Sequence, residues 1–318
     1  MKSVSDSSTE TARSRSSYDD VSVLLPALNE GETIGSVVEG FREQGFSNVL
    51  VVDGNSEDTT REVASIHGAR VITQSGEGKG QAVREALSRI DTDYVLMADG
   101  DGTYRPEDAH AMVEPILSGE AEHVIGDRFA GMAEGAMSRL NHAGNRVING
   151  AFAYVHGRDL GDILSGYRAF TRESARRMAL TEDGFGIETE LAVECMRWNV
   201  PTKVVPIRYE PRPTASETNL RPFRDGSLIV LTLYRLARTH NPLFYFGSVG
   251  VSTMCLGLVA AAWVGYRWLV YTTAHEVIAL FAASSFLFGM QLVVFGLLSD
   301  LIVTLHREQM RRLDDRER

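Results

Sequence analysis

The stretch YVLMADGDGT, residues 94–103, decides the fold of this chain. A short apolar run ends in a turn in which glycines flank two aspartates, as expected where a strand buried on both faces reaches the edge of a sheet. Similar runs, separated by helical stretches, occur at Val21–Leu25, Val49–Val52, Arg70–Thr73 and His123–Ile125. This alternation predicts an α/β fold with an open, mostly parallel sheet flanked by helices.

Polar residues follow three of these apolar runs. The first is followed by PALNE (residues 26–30), the second by DGNSEDTT (53–60) and the fourth by DGDGT (99–103). One such cluster would be an ordinary turn with a helix cap. Ligands of open α/β sheets bind at the carboxyl ends of the strands, so three clusters at strand ends predict a binding site at one sheet edge.

Asp99 and Asp101 form the most informative pair. Two carboxylates one residue apart at a strand end suit a hard divalent ion, Mg²⁺ or Mn²⁺, which takes one or two carboxylates plus phosphate oxygens and water. Such an ion would stabilise a leaving diphosphate. We therefore expect a metal that arrives with its nucleotide.

The glycine-rich segment GEGKG, residues 76–80, resembles a phosphate loop only in part. Gly80 follows Lys79 where a P-loop requires Ser or Thr, and Thr73 occupies the leading glycine position. The dinucleotide fingerprint also fails, because its spacing is GxGxxG. What remains is a flexible turn in which Lys79 is a candidate for contact with a nucleotide.

The composition narrows the possible partners. The chain of 318 residues has 42 acidic and 32 basic residues, a net charge of -10, and its only lysines are Lys2, Lys79 and Lys203. A nucleic-acid-binding domain has a basic excess, so nucleic acid is not an expected partner. An acidic, lysine-poor surface favours a halophilic source. The two cysteines, Cys195 and Cys255, predict neither a disulfide framework nor a zinc site.

Two long apolar segments lie near the C-terminus. Leu243–Tyr271 and Val277–Leu305 contain one charged residue each and exceed the roughly 20 residues needed to cross a bilayer. A short loop joins them, so they predict a two-helix transmembrane hairpin. Arginines flank both outer ends, and this positive-inside pattern places both termini in the cytoplasm at the cell membrane.

These features divide the chain into five parts. We expect a disordered tail over residues 1–19 and a cytoplasmic domain over 20–225. Residues 226–241 predict an interfacial helix, or alternatively a core helix. The hairpin follows over 242–306, and a charged tail over 307–318 ends the chain.

Seven short motifs, in order and over residues 21–213, resemble family-2 inverting glycosyltransferases with the GT-A fold, in the polyprenyl-phosphate glycosyltransferase branch. They are VSVLLPALNE, VVDGNSEDTT, GEGKGQAV, ADGDGTY, VIGDRF, DILSGYRAF and VPIRYEPRP. The chain is most similar to haloarchaeal members that charge dolichol phosphate with a first sugar for N-glycosylation. The resemblance implies a nucleotide-sugar donor, with UDP-glucose as the better expectation, and a dolichol phosphate acceptor in the bilayer.

The resemblance also assigns roles to individual residues. Nucleotide-sugar binding falls to Pro26, Leu28, Glu30, Asp53, Lys79, Asp99 and Arg212. Asp101 becomes the main metal ligand, with Asp99 sharing the metal and holding the ribose. Arg128 and Arg168 join these aspartates as catalytic residues. The acceptor phosphate falls to Arg128, Arg139 and Arg168.

The sequence departs from the family pattern at two places. Thr103 stands where relatives often have a Gln near the metal, so a third side-chain ligand is not expected. Thr218-Asn219-Leu220 replaces the usual Ser-Lys-Leu, which removes a phosphate-binding lysine that Arg221 replaces only imperfectly.

The acceptor explains why no general base is evident. A phosphomonoester with a second pKa of about 6 is largely ionised at neutral pH and can attack the anomeric carbon directly. Arginines must then hold two anionic groups together. A helix is predicted from Leu140 to Val155, where apolar residues recur at helical spacing with Arg139 and Arg146 beside them. It is either a membrane-surface helix that receives the lipid phosphate or a helix that faces the core.

Three alternative functions remain at this point. Thr181-Glu182-Asp183 and Glu194-x-x-Arg197-Trp198 resemble motifs of processive polysaccharide synthases, although their spacing is short. A non-catalytic nucleotide-sugar-binding membrane protein and a nucleotidyltransferase are the other two. The sequence indicates no particular oligomeric state.

Overall fold

A computed structural model describes residues 18–184, 186–213 and 242–317, with side chains described to residue 305. The chain forms two compact units, residues 1–232 and 233–318. The predicted interfacial helix, the Thr218–Leu220 departure with Arg221, and residues 1–17 of the predicted tail lie outside the described residues.

The first unit contains a seven-stranded sheet in the order β3-β2-β1-β4-β6-β5-β7. The strands are β1 (Val21–Ala27), β2 (Asn48–Asp53), β3 (Arg70–Thr73), β4 (Tyr94–Met97), β5 (His123–Met132), β6 (Arg168–Thr171) and β7 (Thr202–Tyr209). Neighbouring strands are parallel except on both sides of β6, which is antiparallel to β4 and β5. The predicted mostly parallel α/β sheet is confirmed.

Helices cover both faces of this sheet. They are α1 (Ile34–Glu43), α2 (Thr60–Ile66), α3 (Lys79–Arg89), α4 (Ala109–Leu117), α5 (Arg139–His156), α6 (Arg172–Arg177) and α7 (Ile187–Arg197). One core lies between the sheet and α1 and α4, around Phe41 and Met112, and the other lies against α3 and α7, around Val83 and Leu191. Burial on both faces explains why the strands are continuous apolar runs rather than alternating ones.

All five strands expected from apolar runs are present, whereas β6 and β7 were not predicted. β6 has four residues and begins with an arginine, and β7 includes a lysine, a proline and an arginine. Neither is an apolar run. Tyr18, which lies in the predicted tail, stacks on His110 of α4 with ring centroids 5.0 Å apart.

The second unit is a hairpin of α8 (Pro242–Tyr271) and α9 (Glu276–Glu317). Residues 242–271 and 276–305 are each long and apolar enough to cross a membrane. The backbones approach closely at glycines: a Cβ on Gly250 would lie 2.6 Å from the carbonyl oxygen of Gly289. The backbone of the predicted charged tail, residues 307–318, continues α9 as far as Glu317.

Candidate functional site

The carboxyl ends of β1, β4 and β7 meet at one edge of the sheet, and Arg212 joins them. Its Nη1 lies 3.4 Å from Oε1 of Glu30, and its Nη2 lies 2.7 Å from Oδ2 of Asp101. Asp101 also accepts hydrogen bonds from the backbone N–H of Thr103 at 3.0 Å and from its hydroxyl at 2.6 Å. Thr103, named above as a departure from the family pattern, thus fixes the orientation of the predicted metal ligand.

A second cation, Lys79, joins two more carboxylates. Its Nζ pairs with Oδ1 of Asp99 and lies 2.5 Å from Oε1 of Glu188. Burial disfavours the charge, but Asp99 and Glu188 outweigh it and raise the pKa of Lys79 above its ordinary value. Lys79 is therefore a fully charged internal ion-pair partner.

Sequence reasoning missed Glu188. It lies in the first turn of α7, a helix whose residues Ile187–Cys195 are all buried although three of them are glutamates. Such acidic residues among apolar ones need partners, because a buried carboxylate is costly when unpaired. That composition was the available signal, but the sequence alone did not identify Lys79 as the partner.

The charges of this cluster do not balance. Glu30, Asp99, Asp101 and Glu188 are four carboxylates, whereas Lys79 and Arg212 are two cations. If all are ionised, two negative charges remain, which a divalent ion would compensate. Among the described residues no group of three or more His, Cys, Asp or Glu could hold a metal by itself. The donor set therefore fits a hard cation that draws its remaining ligands from phosphate and water.

Glu30 is a carboxyl group of this cluster whose pKa is raised, mainly by burial. Burial raises the pKa of its carboxyl group to about 7, with Asp101 and Asp99 also raising it and Arg212 opposing the shift. The carboxyl group is thus partly protonated near neutral pH and can donate as well as accept a hydrogen bond. This suits a group that is expected to face a nucleotide base.

The remaining donor-side residues lie at the ends of β1 and β2. Pro26 is buried within β1, and Leu28 is exposed just beyond it. Asp53 is completely buried: its Oδ2 accepts from the backbone N–H of Ser56 at 3.1 Å and lies 3.3 Å from Nη1 of Arg61. In this structure Asp53 therefore shapes the turn.

The glycine-rich segment is closed to phosphate at its helix end. The backbone N–H of Gly80, in the first turn of α3, donates to the carbonyl oxygen of Asp183 at 2.8 Å. A Cβ at Gly78 or Gly80 would overlap the carbonyl groups of Asp183 and Glu182. The glycines are thus explained by the close approach of the 181–184 segment, and only the side chain of Lys79 reaches the site.

Arg128 lies in a buried ion pair beside the site. Its Nε and Nη2 donate to the two carboxylate oxygens of Asp162, at 2.5 and 2.9 Å. The guanidinium also lies over the ring of Tyr209, 5.3 Å from its centroid. Its two-point pairing stabilises the loop that contains Asp162, and its role with a phosphate stays a prediction.

Arg168 lies in the core instead of facing the site. It is completely buried, and its guanidinium donates to the carbonyl oxygens of Ser165 and Ile163 at 3.0 and 2.6 Å. Its Nη1 lies 3.1 Å from Nε2 of His123, whose pKa is lowered by burial and by Arg168 itself, so the imidazole is neutral. In this arrangement the arginine of the SGYR motif anchors the loop. The sequence alone could not distinguish a buried arginine from one that binds phosphate.

The anchored loop forms one wall of the site. A Cβ on Gly166 would lie 2.7 Å from Oδ2 of Asp99, so the loop backbone touches the carboxylate directly. Arg139, the last predicted acceptor residue, is exposed in the first turn of α5. The structure therefore brings together Glu30, Lys79, Asp99, Asp101 and Arg212. Of the predicted arginines, Arg128 is in a buried ion pair beside them, Arg168 is in the core and Arg139 is exposed on α5.

The model of Glycosyl transferase family 2 matches residues 22–179. The chain is 58% identical to glycosyltransferase AglJ of Haloferax volcanii over 94% of this chain and 99% of that protein. It is 36% identical to a dolichyl-phosphate hexose transferase of the same organism, covering 67% of this chain and 91% of the relative.

Solved structures support the fold. Glucosyl-3-phosphoglycerate synthase of Mycobacterium tuberculosis, in complex with Mn²⁺, UDP-glucose and phosphoglyceric acid, has a TM-score of 0.58 at 23% identity. The alignment covers 74% of this chain and 85% of that one. The same enzyme with Mg²⁺ and UDP has a TM-score of 0.57. The first unit therefore has the GT-A-like fold.

Proposed function

This chain belongs to Glycosyl transferase family 2 and is a glycosyltransferase, and we propose that it transfers one hexose from a nucleotide sugar to dolichol phosphate with inversion at the anomeric carbon. UDP-glucose is the proposed donor, and the product would be a dolichyl-phosphate sugar for protein N-glycosylation. The observation that carries the proposal is a cluster of four carboxylates, Glu30, Asp99, Asp101 and Glu188, that share only two cations, Lys79 and Arg212.

The donor's base would lie at the end of β1, against Pro26 and Leu28. Glu30 can donate and accept hydrogen bonds there because its pKa is raised to about 7. Asp53 stabilises the turn after β2 by accepting from the backbone N–H of Ser56. Asp99, more exposed than Asp101, is suited to the ribose. Arg212 is the proposed partner for the diphosphate.

A metal would be held by Asp99 and Asp101. When bound, Mg²⁺ or Mn²⁺ supplies compensation for the charge that develops on the leaving diphosphate. Asp101 is held for this task by Thr103 and Arg212, so little reorganisation is needed as the donor binds.

The acceptor phosphate is its own nucleophile. With a second pKa of about 6 it is largely ionised at pH 7, so the chain need not supply a base. What the residues must do is position two anionic groups in line, which is an entropic and electrostatic task. Arg139 is exposed for the acceptor phosphate. Arg128 and Arg168 would act through the loop that they anchor.

We place the first unit and both chain ends on the cytoplasmic side of the cell membrane. Support comes from α8 and α9, each long and apolar enough to span a bilayer, and from the arginines at their outer flanks in the sequence.

The deciding experiment supplies membranes that contain the protein with several nucleotide sugars and dolichol phosphate in high salt. Mass spectrometry of the lipid then identifies donor and acceptor together. We expect one hexose per lipid, formed with UDP-glucose and abolished by a chelator or by Asp101→Asn. Failure of every donor to modify the lipid would refute the proposal.

A polysaccharide synthase is the second candidate function, and the contacts of Asp183 argue against it. The carboxylate of Asp183 pairs with Arg84 near the surface, and its backbone carbonyl caps α3. The TED-like segment is thus engaged in packing. A polymeric product in the same assay would reverse this preference.

A further inference from the structure

The N-terminus of α3 is capped by a distant part of the chain. The helix begins at Lys79, and its N-cap residue is a glycine, which has no side chain to accept from the first N–H groups. The backbone carbonyl oxygen of Asp183 accepts instead, from the N–H of Gly80 at 2.8 Å and from that of Gln81 at 3.2 Å. The position of the lysine on this first turn therefore depends on the 181–184 segment.

The 181–184 segment is in turn bound by the carboxylate of Glu190 on α7. Oε1 accepts from the hydroxyl of Thr181 at 2.7 Å and from its backbone N–H at 2.9 Å, and Oε2 accepts from the backbone N–H of Glu182 at 3.0 Å. Glu190 is only 2% exposed. A carboxylate buried to this degree needs several donors to offset its lost hydration. Because the segment supplies them, the burial of Glu190 and the path of the segment depend on each other.

Helix α7 therefore contacts the surroundings of Lys79 in two ways. Its Glu188 pairs with the ammonium directly, with 2.5 Å between Oε1 and Nζ. Its Glu190 binds the segment that caps α3, and the lysine side chain extends from that capped turn to Asp99. The TED-like segment thus lies between two helices, with backbone N–H groups bound to α7 and a backbone carbonyl bound to α3. This explains why both of these buried residues of α7 are glutamates.

We propose that Glu190 is a positioning residue for Lys79. It fixes the 181–184 segment, and the segment fixes the first turn of α3. The ammonium is thereby kept between Asp99 and Glu188. A cation held at a fixed point needs little reorganisation when an anionic donor binds. That Lys79 faces the nucleotide-sugar donor rests on the proposed function, whereas its positioning by Glu190 does not.

The chain has only three lysines, so amine labelling reports on Lys79 directly. The full chain in detergent is treated with an acetylating reagent, without nucleotide, and mass spectrometry compares acetylation at Lys79 with that at Lys203. The side chain of Lys203 is 42% exposed, whereas that of Lys79 is 12% exposed. In the wild type Lys79 should react far more slowly, because acetylation needs an accessible, uncharged amine and its ammonium is paired with two carboxylates.

Glu190→Gln is the first variant. It replaces an acceptor oxygen by an NH₂ donor, which cannot accept from the N–H and hydroxyl donors of the segment. We expect acetylation of Lys79, relative to that of Lys203, to increase several-fold. Thr181→Val removes only the hydroxyl donor and is the milder second variant. It should change the ratio in the same direction by less, so the test does not depend on a variant that fails to fold.

Glu194→Gln is the matched control. Glu194 is similarly buried on the same helix, but its Oε2 accepts from the backbone N–H of Ala179 at 3.2 Å and from the indole N–H of Trp198 at 3.1 Å, outside the 181–184 segment. Its replacement should lower stability without increasing acetylation of Lys79. An unchanged ratio in Glu190→Gln would overturn the proposal. An equal increase in both variants would also overturn it, because a general loosening of α7 would then be the cause.

The donor side needs a separate measurement. Calorimetric titration with UDP and Mg²⁺ should show several-fold weaker binding to Glu190→Gln than to the wild type, and unchanged binding to Glu194→Gln. Increased acetylation of Lys79 with unchanged UDP affinity would confirm its positioning by Glu190 and refute its role in donor binding. The acetylation ratio requires no donor or acceptor, so failure of the proposed hexose transfer leaves this test unaffected.

Discussion

Two side chains set the electrostatics of the site, and each binds two carboxylates. Lys79 joins Asp99 to Glu188, and Arg212 joins Glu30 to Asp101. Removing either cation would leave two buried or half-buried carboxylates facing each other. We therefore expect these two positions to be far more sensitive than a surface ion pair.

Replacement of Lys79 by methionine tests this directly. Loss of the buried cation is expected to reduce the free energy of unfolding by about 3–5 kcal/mol, because it leaves Asp99 and Glu188 unpaired. The measurement is denaturant unfolding of the full chain in detergent. Lys203→Met is the matched control: Lys203 pairs with Glu120 at the surface, 2.6 Å apart, and its loss should cost no more than about 1 kcal/mol. Equal effects of the two substitutions would refute the internal role of Lys79.

Glu30 predicts a pH dependence with a definite sign. Its pKa in the folded chain, about 7, is above the ordinary value of 4.5. The folded state therefore binds the proton more tightly, and its stability decreases as pH rises from about 4.5 to 7, by on the order of 3 kcal/mol at most. Glu30→Gln should remove this decrease.

The measurement compares the thermal midpoints of the two proteins at pH 5 and pH 8, in chelator and at constant salt. The variant should be the more stable protein at pH 8 and nearly equal to the wild type at pH 5. A difference that is the same at both pH values would mean that Glu30 does not titrate in this range.

At the residue scale, the sequence predicted the anionic half of the site better than the cationic half. Asp99, Asp101 and Glu30 follow strands that could be recognised, so their common edge follows from the topology. Arginines have long side chains, and their direction depends on tertiary packing: Arg168 points into the core, while Arg212 reaches the carboxylates. Glu188 was missed because it approaches from a helix, α7, and not from a strand end.

Among the elements, the N-terminus of α3 depends on glycine for a reason of space. The 181–184 segment lies so close that a Cβ on Gly80 would overlap the carbonyl of Glu182. Gly80→Ala should therefore displace this segment together with Lys79 and cost about 1–3 kcal/mol of stability. Gly184→Ala is the control, since a Cβ there meets nothing within 4 Å. Thermal unfolding of both variants, with the stability of Gly184→Ala unchanged, is the expected result.

The hairpin depends on glycine in the same way. A Cβ on Gly289 would lie 2.5 Å from the carbonyl oxygen of Gly250, so Gly289→Val should force α8 and α9 apart. Gly265→Val, in open space on α8, should have little effect. In a Trp198→Phe background, fluorescence of Trp263 and Trp268 reports the hairpin alone, and its thermal midpoint should be lower only for Gly289→Val. Equal midpoints would show that this contact does not hold the helices together.

At the element scale, the sequence predicted what local composition determines. Five strands and the hairpin have continuous apolar runs, and their positions were correct. β6 and β7 were missed because β6 has only four residues and begins with Arg, and because β7 contains Lys, Pro and Arg, so neither is an apolar run. The backbone of α9 continues beyond the apolar span to Glu317, because charged residues after a membrane span can continue a helix.

For the whole molecule, the division into two units predicts separable properties. A chain that ends at Asn241 retains the whole described core of the first unit, so it should fold and bind UDP with the affinity of the full chain. It should lose most of the proposed transfer to dolichol phosphate in liposomes, because the hairpin would no longer keep the enzyme at a high effective concentration near the lipid.

Calorimetric titration with UDP and a liposome transfer assay check the two halves of this prediction. Transfer by the shortened chain at the rate of the full chain would mean that the hairpin does not concentrate the enzyme at the acceptor.

The long connection between the antiparallel strands β5 and β6 indicates which part of the domain can vary between relatives. β5 and β6 are antiparallel neighbours, which a two-residue turn could join, yet residues 133–167 connect them, including α5 and the loop against Asp99. The sheet does not need this excursion for its connectivity. We expect exchange of this segment between relatives to alter the preference for the proposed acceptor. The ends of β1 and β2, which lie outside it, should keep the proposed contacts with the nucleotide base.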